Sequence, residues 1–324
     1  MQPRDLAAYL FLAIAWGFSF LVVLKVVHAF GWVGAVSLRA LIAGGTLALL
    51  AALLGRTLRL RPLLVPLLVV GATTVAGQLI GLSYATPRIG TAMAAIIVAT
   101  IPLFSMLIGR VWGLEKITRQ GLAGLLLGIV GIAILVGFPA RPIDDDFIHG
   151  CIASLLGCIS AAYGSNYASL HLRGQDPWTV TGGAFLAGGL LTLPLLLVVP
   201  VPSVPQASDW LYLLLSGAVM SATTYVLYFG LVARIGATRA ISVEFVVTLV
   251  AVVVGALFLD EALSLLQAAG GVVILLGCML VLGLLPGRKR RLPSQARGQS
   301  RCAVSGCSGG VRCSTRLRPP SASR

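Results

Sequence analysis

Two charged side chains lie deep inside long apolar stretches, and they are the first candidates for chemistry. Arg39 and Glu244 each lie about seven residues into such a stretch, roughly 10 Å deep at about 1.5 Å per helical residue. A charge inside a bilayer is costly, so one that is retained there is a functional candidate. Arg39 is predicted to bind a substrate carboxylate, and Glu244 to be a proton-coupling acid or an amine acceptor. The alternative makes both of them ionic partners of other buried groups, whereas Lys25 lies near a stretch end and snorkels to the interface.

Polar and aromatic side chains within the apolar stretches form a second set of candidates. They provide the hydrogen-bonding and stacking groups that a substrate cavity needs. For each of them, a hydrogen bond between helices or a place at the membrane interface is the alternative. The set comprises Trp16, Gln78, Tyr84, Tyr163, Asn166, Thr224, Tyr225 and Tyr228.

Pro102 is a separate candidate because it is predicted to lie in the middle of a helix. Proline has no backbone N–H, so it frees the carbonyl one turn earlier, near Val98, to face a cavity. A packing kink without a ligand role is the alternative.

The composition requires a membrane-embedded fold. Of the 324 residues, 58% are hydrophobic and 10% are charged, and the mean hydropathy is +0.98. An ordinary soluble domain has about 25% charged residues, so this chain has too little polar surface for water. Lipid offers the backbone no partners, and a helix needs about 20 apolar residues to cross the hydrocarbon core. We predict ten spans, near residues 6–26, 32–54, 63–85, 90–112, 120–138, 148–170, 178–199, 210–233, 237–259 and 264–285.

Basic residues are distributed unequally between the two ends of these spans. The net charge is +14, and much of the excess lies in residues 288–324, after the last span. The positive-inside rule then places both termini in the cytoplasm, which agrees with an even number of spans. We interpret residues 288–324 as a basic, disordered cytoplasmic tail that anchors at the membrane surface, and we do not expect nucleic acid as a partner.

The sequence also aligns with itself, without gaps, at an offset of 146 residues. The offset pairs Arg88 with Arg234 and Glu115 with Glu261. Two five-helix units are predicted, and because five is odd, the second unit enters the membrane from the opposite face. Two similar bundles of opposite orientation can exchange two packings around one interface, which is the basis of alternating access.

Glycines recur at steps of three and four residues in the fifth predicted span and again in the tenth. Such stripes let another helix approach closely, so we predict that both spans are packing elements, with a dimer seam as the alternative. The glycines are Gly121, Gly124, Gly128 and Gly131, and then Gly270, Gly271 and Gly277.

Several short landmarks occur in an order that resembles the EamA-type, ten-helix branch of the drug/metabolite transporter superfamily. The resemblance covers residues 6–285. One departure is Thr248, which stands at the equivalent of Pro102 where the family pattern has proline, so no matching kink is expected in the ninth span. The landmarks are Trp16-Gly17, Lys25, Arg39, Pro102, Glu115, Gly236-Ala237-Thr238 and Glu261.

The spans and the duplication predict an all-α membrane protein, with ten transmembrane helices arranged as two inverted five-helix repeats. The repeats occupy residues 1–140 and 147–287, followed by the tail at 288–324. The resemblance implies export or exchange of amino acids or other small metabolites through a central cavity. It also implies that the cavity is lined by the first four helices of each repeat, with the fifth and tenth helices outside it.

We therefore predict a secondary transporter of the inner (plasma) membrane that works by alternating access. Its expected partners are a small-molecule substrate, membrane lipids and protons as the coupling ion. A lipid-intermediate flippase of the same superfamily, or a membrane receptor or scaffold without transport, is the alternative. The sequence has no P-loop, and its three histidines are scattered, so neither an ATPase nor another enzyme is expected, nor a cofactor or a metal.

Overall fold

The computed structural model describes residues 3–113, 119–137, 144–202, 204–235, 240, 243–259 and 264–281. Glu115, Glu261 and the tail at 288–324 lie outside these residues. All regular structure within the described ranges is helical. The helices are α1 (Pro3–Leu53), α2 (Arg61–Ile89), α3 (Thr91–Val111), α4 (Arg119–Gly137), α5 (Asp145–His171), α6 (Pro177–Leu197), α7 (Ala207–Arg234), α8 (Val243–Phe258) and α9 (Leu265–Val281), of which α1 and α3 are interrupted.

The helices are those of a multi-pass membrane protein. In the described part, 6 helices are long and apolar enough to cross a bilayer, namely α1, α2, α3, α5, α6 and α7, while α4, α8 and α9 are shorter and apolar. Large apolar side chains face outward, such as Leu197 with 90% of its surface exposed, while Ser37 and Thr181 are fully buried. The many large apolar side chains on the outside suit a lipid surround.

Gly31 divides α1 into two arms, residues 3–30 and 32–53. Its φ of 71° and ψ of 166° are not helical, and a positive φ favours glycine. The first arm stays helical up to this glycine, so the helix runs beyond residue 26, near which the first predicted span ends. A Cβ at Gly31 would lie 3.2 Å from Cδ of Pro202, so the bend also lies close to the segment before α7.

The long helices α2 and α7 each contain a π-helical stretch, Gly71–Gly77 in α2 and Leu215–Thr223 in α7. The two stretches end 146 positions apart, which is the offset of the internal alignment. A π-helical turn adds a residue to the helix and is frequent at functional sites. The first stretch contains Thr74 and the second Ser221, which lie in or beside the central cavity described below.

The helix α3 consists of two α-helical parts, Thr91–Val98 and Ile101–Val111. Pro102 lies in the first turn of the second part. The predicted position in the middle of a continuous helix is therefore wrong. Proline is well tolerated in a first turn, because an N–H there has no partner in any case. The expectation for Thr248 is confirmed, since α8 is unbroken around it.

The glycine stripes bring α4 and α9 into close contact. A Cβ at Gly131 would lie 2.7 Å from Cγ1 of Ile274, and a Cβ at Gly277 would lie 2.7 Å from the carbonyl oxygen of Gly124. Any larger side chain there would push the helices apart. The predicted packing role of both stripes is confirmed.

Contacts between helix ends define two ends of the helical assembly. At one end, which we call the Asp5 end, Arg234 Nε lies 2.8 Å from Asp5 Oδ1, joining α7 to α1. At the other, the Arg88 end, Arg88 Nε lies 3.3 Å from Asp146 Oδ1, joining α2 to α5.

Candidate functional site

A central cavity of about 60 Å³ lies where six helices meet. Both arms of α1 and the helices α2, α3, α5, α7 and α8 contribute to its wall. The volume allows a few water molecules, and it is below the roughly 300–1,000 Å³ of typical ligand pockets. The lining residues are Trp16, Ser19, Phe20, Arg39, Thr74, Gln78, Leu79, Leu82, Val98, Ile101, Ala161, Ser165, Tyr225, Tyr228, Glu244 and Val247.

Arg39 reaches this cavity from the second arm of α1. Its side chain is buried, and Nε donates a hydrogen bond of 2.6 Å to Oγ of Ser221. Ser221 lies in the π-helical stretch of α7, and its hydroxyl donates to the carbonyl oxygen of Ser216 at 2.8 Å. Arg39 forms no ion pair within the described ranges. A single serine orients the guanidinium, whose remaining N–H groups are available to a carboxylate.

Glu244 enters the cavity from the first turn of α8 and is also buried. Among the described residues its carboxyl group has no hydrogen-bond or ion-pair partner. Its turn is fixed by Thr248, whose hydroxyl donates to the carbonyl oxygens of Glu244 at 2.7 Å and of Ala95 in α3 at 3.0 Å. The backbone at Glu244 is thus held by Thr248 and not by a counterion of the carboxyl group. The carboxyl group can therefore accept an amine or a proton.

Arg39 and Glu244 line the same cavity as the aromatic residue Tyr225, on α7. The alternative reading of these charges as halves of structural ion pairs finds no partner in the part of the chain that the structure describes.

Trp16 is the centre of an aromatic cluster that forms one wall. Its ring centroid lies 5.3 Å from that of Tyr225 and 5.4 Å from that of Tyr228. Its indole Nε1 donates a hydrogen bond of 2.8 Å to Oγ1 of Thr224. The indole is therefore held in one orientation against the two tyrosine rings.

The structure brings only part of the predicted site together. Trp16, Arg39, Gln78, Tyr228 and Glu244 line the cavity. Glu115 and Glu261 lie outside the described residues, so they stay predictions.

Four predicted residues lie elsewhere. Thr224 supports Trp16 from behind the wall. Asn166 donates to the carbonyl oxygen and hydroxyl of Ser105, joining α5 to α3. Tyr84 lies at the Arg88 end, where the Arg88 guanidinium stacks 3.7 Å above its ring. Pro102 is buried next to the lining residue Ile101 but is not itself part of the wall.

Sequence reasoning missed the small polar groups Ser19, Thr74 and Ser165. Ser19 donates to the carbonyl oxygen of Trp16 at 2.7 Å, and Ser165 Oγ lies 3.5 Å from the Tyr228 hydroxyl. Thr74 Oγ1 is buried without a hydrogen-bond partner in the described part. Serine and threonine are common in membrane helices, so their type alone carried no signal.

The internal offset of 146 residues could have indicated two of these residues, Ser19 and Ser165. Five pairs of lining residues are separated by 146 positions, so equivalent positions of the two halves meet at one cavity. Within most pairs, the first half supplies an apolar side chain and the second half a polar one. The pairs are Ser19 and Ser165, Leu79 and Tyr225, Leu82 and Tyr228, Val98 and Glu244, and Ile101 and Val247.

The fold and cavity define a multi-pass helical membrane protein with one buried polar site between its two sequence halves. The profile of the EamA-like transporter family matches residues 5–137 and again residues 148–283. The chain therefore belongs to the EamA-like transporter family, as the landmarks predicted.

Several relatives are similar over most of their length. The chain is 28% identical over 313 residues to Protein PecM of Dickeya dadantii, covering 94% of this chain and 100% of the relative. It is 29% identical over 294 residues to the Uncharacterized inner membrane transporter YedA of Escherichia coli, covering 84% and 89%. It is 26% identical over 295 residues to a Probable terminal-alkyne amino-acid exporter of Streptantibioticus cattleyicolor, covering 88% and 95%.

A solved crystal structure shares the fold. It matches with a TM-score of 0.63 over 88% of this chain and 99% of its own, at 18% sequence identity. At this identity the likeness describes the fold alone.

Proposed function

We propose that this chain is a secondary transporter that exports or exchanges amino acids or other small metabolites across the inner membrane. The observation that carries the proposal is a buried guanidinium and a buried carboxyl, Arg39 and Glu244, in one central cavity. Neither group has an ion-pair partner among the residues described. An amino acid carries the charge opposite to each, so Arg39 would bind its carboxylate, and Glu244 its amine or a coupling proton.

The names of relatives support the same substrate class. The Streptantibioticus relative is named a probable exporter of an amino acid, and the Escherichia coli relative an inner membrane transporter. The aromatic cluster around Trp16 would receive the uncharged part of such a substrate.

The proposed topology has ten crossings in two inverted repeats, at residues 1–140 and 147–287. Gly31 divides α1 into two arms that would each cross the membrane. The double match of the family profile and the matching π-helical stretches support the repeat. Arg56, Arg173 and Arg234 belong to the Asp5 end, which we therefore assign to the cytoplasm together with both termini.

Alternating access is supported by the two ion pairs between helix ends. Arg234–Asp5 and Arg88–Asp146 each join the first half of the chain to the second, one pair at each end. The two arginines are 146 positions apart, whereas Asp5 and Asp146 are 141 positions apart, so the offset relates the arginines but not the acids. Opening one end while the other stays tied would expose the site to one side at a time. The small cavity would expand as an end opens.

The test is efflux from proteoliposomes. Purified protein would be reconstituted with a mixture of amino acids, amines, nucleosides and organic acids inside, and mass spectrometry would follow which compounds leave. We expect selective loss of amino acids, and we expect Arg39→Ala to reduce it at least tenfold, because a buried charge-assisted contact contributes about 1.5–3 kcal/mol. Protein-free liposomes control for leakage.

A second variant separates binding from folding. Arg39→Lys keeps the charge but lacks the planar fork, so we expect it to raise KM while the protein stays folded. Folded wild-type protein that releases no compound selectively at any pH would overturn the proposal, and would favour a lipid-intermediate flippase or a receptor or scaffold without transport.

A further inference from the structure

A second, larger cavity lies at the Asp5 end. Its volume is about 510 Å³, within the roughly 300–1,000 Å³ of small-molecule sites. It is formed by the end of α5, the loop after it, the start of α6 and the end of α7. We call it the Arg173 cavity.

The Arg173 cavity follows the central cavity along the same two helices. On α5, Ser165 lines the central cavity and Ala168 lines the next one, less than one turn further on. On α7, Tyr228 and Phe229 stand in the same relation. Between the two cavities, Ser165 Oγ of α5 lies 3.5 Å from the Tyr228 hydroxyl of α7. A molecule in the Arg173 cavity would therefore be next to the central site.

The equivalent region at the Arg88 end is built differently. The equivalents of Ser169 and Arg173, 146 positions earlier, are Val23 and Val27. Both valines are buried in an apolar cluster, with 3% and 6% of their surface exposed. Polar side chains at the Asp5 end stand where packed valines stand at the other end, so the two ends present different side chains at equivalent positions.

A missing aromatic ring accounts for part of the space. At the Arg88 end the Tyr84 ring packs between Trp32, at 5.4 Å, and the Arg88 guanidinium, at 3.7 Å. The equivalent of Tyr84 is Gly230, where an added Cβ would meet only Arg234 Nη1 at 3.3 Å and Pro177 Cγ at 3.9 Å.

The charges around the Arg173 cavity favour an anion. Arg173 forms no hydrogen bond or ion pair in the described ranges, while Arg234 is paired with Asp5. The nearby carboxylate of Asp176 accepts the backbone N–H of Thr179 at 3.2 Å and so caps α6. The charged side chains that line the cavity are therefore two arginines, of which Arg173 is unpaired among the described residues, while Asp176 lies outside the lining.

We propose that the Arg173 cavity is a first-contact site that binds the carboxylate of a small organic molecule before it reaches the central cavity. Arg173 would hold the carboxylate, with Ser169 and Gln175 as hydrogen-bonding neighbours, and Leu172 and Val232 would contact the apolar part. That the bound molecule then passes inward rests on the proposed transport function; the binding of a carboxylate does not.

Thiol labelling tests the site without a transport assay. Ser169→Cys would be introduced into a chain whose own cysteines are replaced by alanine, and labelled in detergent with anionic sulfonatoethyl or cationic trimethylammonioethyl methanethiosulfonate. The rate of each reagent is divided by its rate with a free thiol. We expect this normalised rate to be about fivefold higher for the anionic reagent than for the cationic one, because one nearby charge contributes about this factor. Butanoate should slow it at constant ionic strength, and butylammonium should not. The replaced residues are Cys151, Cys158, Cys278, Cys302, Cys307 and Cys313.

Matched variants test whether Arg173 causes the preference for the anionic reagent. Arg173→Gln should remove the preference for the anionic reagent, whereas Arg56→Gln, at the same end over the ring of Trp178, should not. Val23→Cys, at the buried equivalent position, should react slowly with both reagents. If Ser169→Cys does not fold, Gln175→Cys at the mouth is the second reporter.

Equal normalised rates for the two reagents, a preference that persists in Arg173→Gln, or no protection by butanoate would overturn the inference. Labelling as expected together with no efflux in proteoliposomes would instead refute transport and leave the carboxylate site standing. The two failures are thus distinguishable.

Discussion

Arg234 donates a hydrogen bond of 2.8 Å from Nε to Oδ1 of Asp5, and so ties the end of α7 to the first turn of α1. The Asp5 side chain is almost fully enclosed, with 7% of its surface exposed. At the opposite end, Arg88 and Asp146 repeat the arrangement at 3.3 Å, but 73% of the Asp146 side chain is exposed. The two ends are therefore tied by ion pairs that differ in burial and in length.

The Asp5→Asn variant should be less stable than Asp146→Asn. A buried hydrogen bond between charged groups contributes about 1.5–3 kcal/mol, whereas an exposed ion pair contributes less than about 1 kcal/mol. Thermal unfolding in detergent can be followed with a thiol-reactive dye, because Cys151 and Cys158 are free and buried. Equal shifts of Tm for the two variants would contradict this ranking.

Glu244→Gln should abolish the pH dependence of transport while the protein stays folded. The amide keeps the size of the side chain but cannot exchange a proton at physiological pH. Efflux from proteoliposomes would be measured across pH 5 to about 8, with Glu244→Asp as the control that retains an ionisable group. A pH profile identical to that of the wild type would remove Glu244 as a coupling residue.

Thr224→Val should destabilise the aromatic wall. The substitution leaves the Trp16 indole N–H buried without its acceptor, which costs about 1–3 kcal/mol. Trp16→Phe removes the donor, so adding Thr224→Val to it should cost much less. Tm values for the four proteins complete the double-mutant cycle, and additive losses would mean that the hydrogen bond contributes nothing.

Gly131→Ala should separate α4 from α9. The new methyl group would lie within 2.7 Å of Ile274 Cγ1, so we expect a loss of about 1–3 kcal/mol. Gly45→Ala is the matched control, because a Cβ there meets nothing within 4 Å and alanine favours a helix by up to about 1 kcal/mol. A Gly131→Ala protein as stable as Gly45→Ala would refute tight packing at this seam.

Much of the helical framework could be predicted from the sequence, because apolar runs of fixed length and spaced glycines report directly on lipid and on close packing. The break in α3 could not be placed. Pro102 predicts a disturbance somewhere near it, but the position of the break depends on how Thr100 and its neighbours redistribute their hydrogen bonds. The sequence likewise gave no indication that α1 continues to Gly31.

The sequence predicted the charged residues of the candidate site, whose burial in a membrane costs much free energy, but not which of the uncharged polar residues face the cavity. Arg39 and Glu244 stand out because a charge among apolar residues has few harmless explanations. Asn166 and Thr224 have the same composition signal as cavity residues, yet their side chains turn toward Ser105 and Trp16. The direction in which a side chain points within a helical bundle depends on helix rotation, which periodicity does not determine in a buried helix.

The five equivalent pairs around the central cavity have a consequence for how a ligand is oriented. The backbone positions are related by the offset, but Val98 stands opposite Glu244 in sequence equivalence, and Leu79 opposite Tyr225. At these positions the first half supplies an apolar side chain where the second half supplies a carboxyl or hydroxyl group. Under the proposed function, a bound molecule would therefore be held in one orientation, because turning it end over end would exchange favourable neighbours for unfavourable ones. This polarity of recognition would come from the side chains alone, at backbone positions that the offset relates.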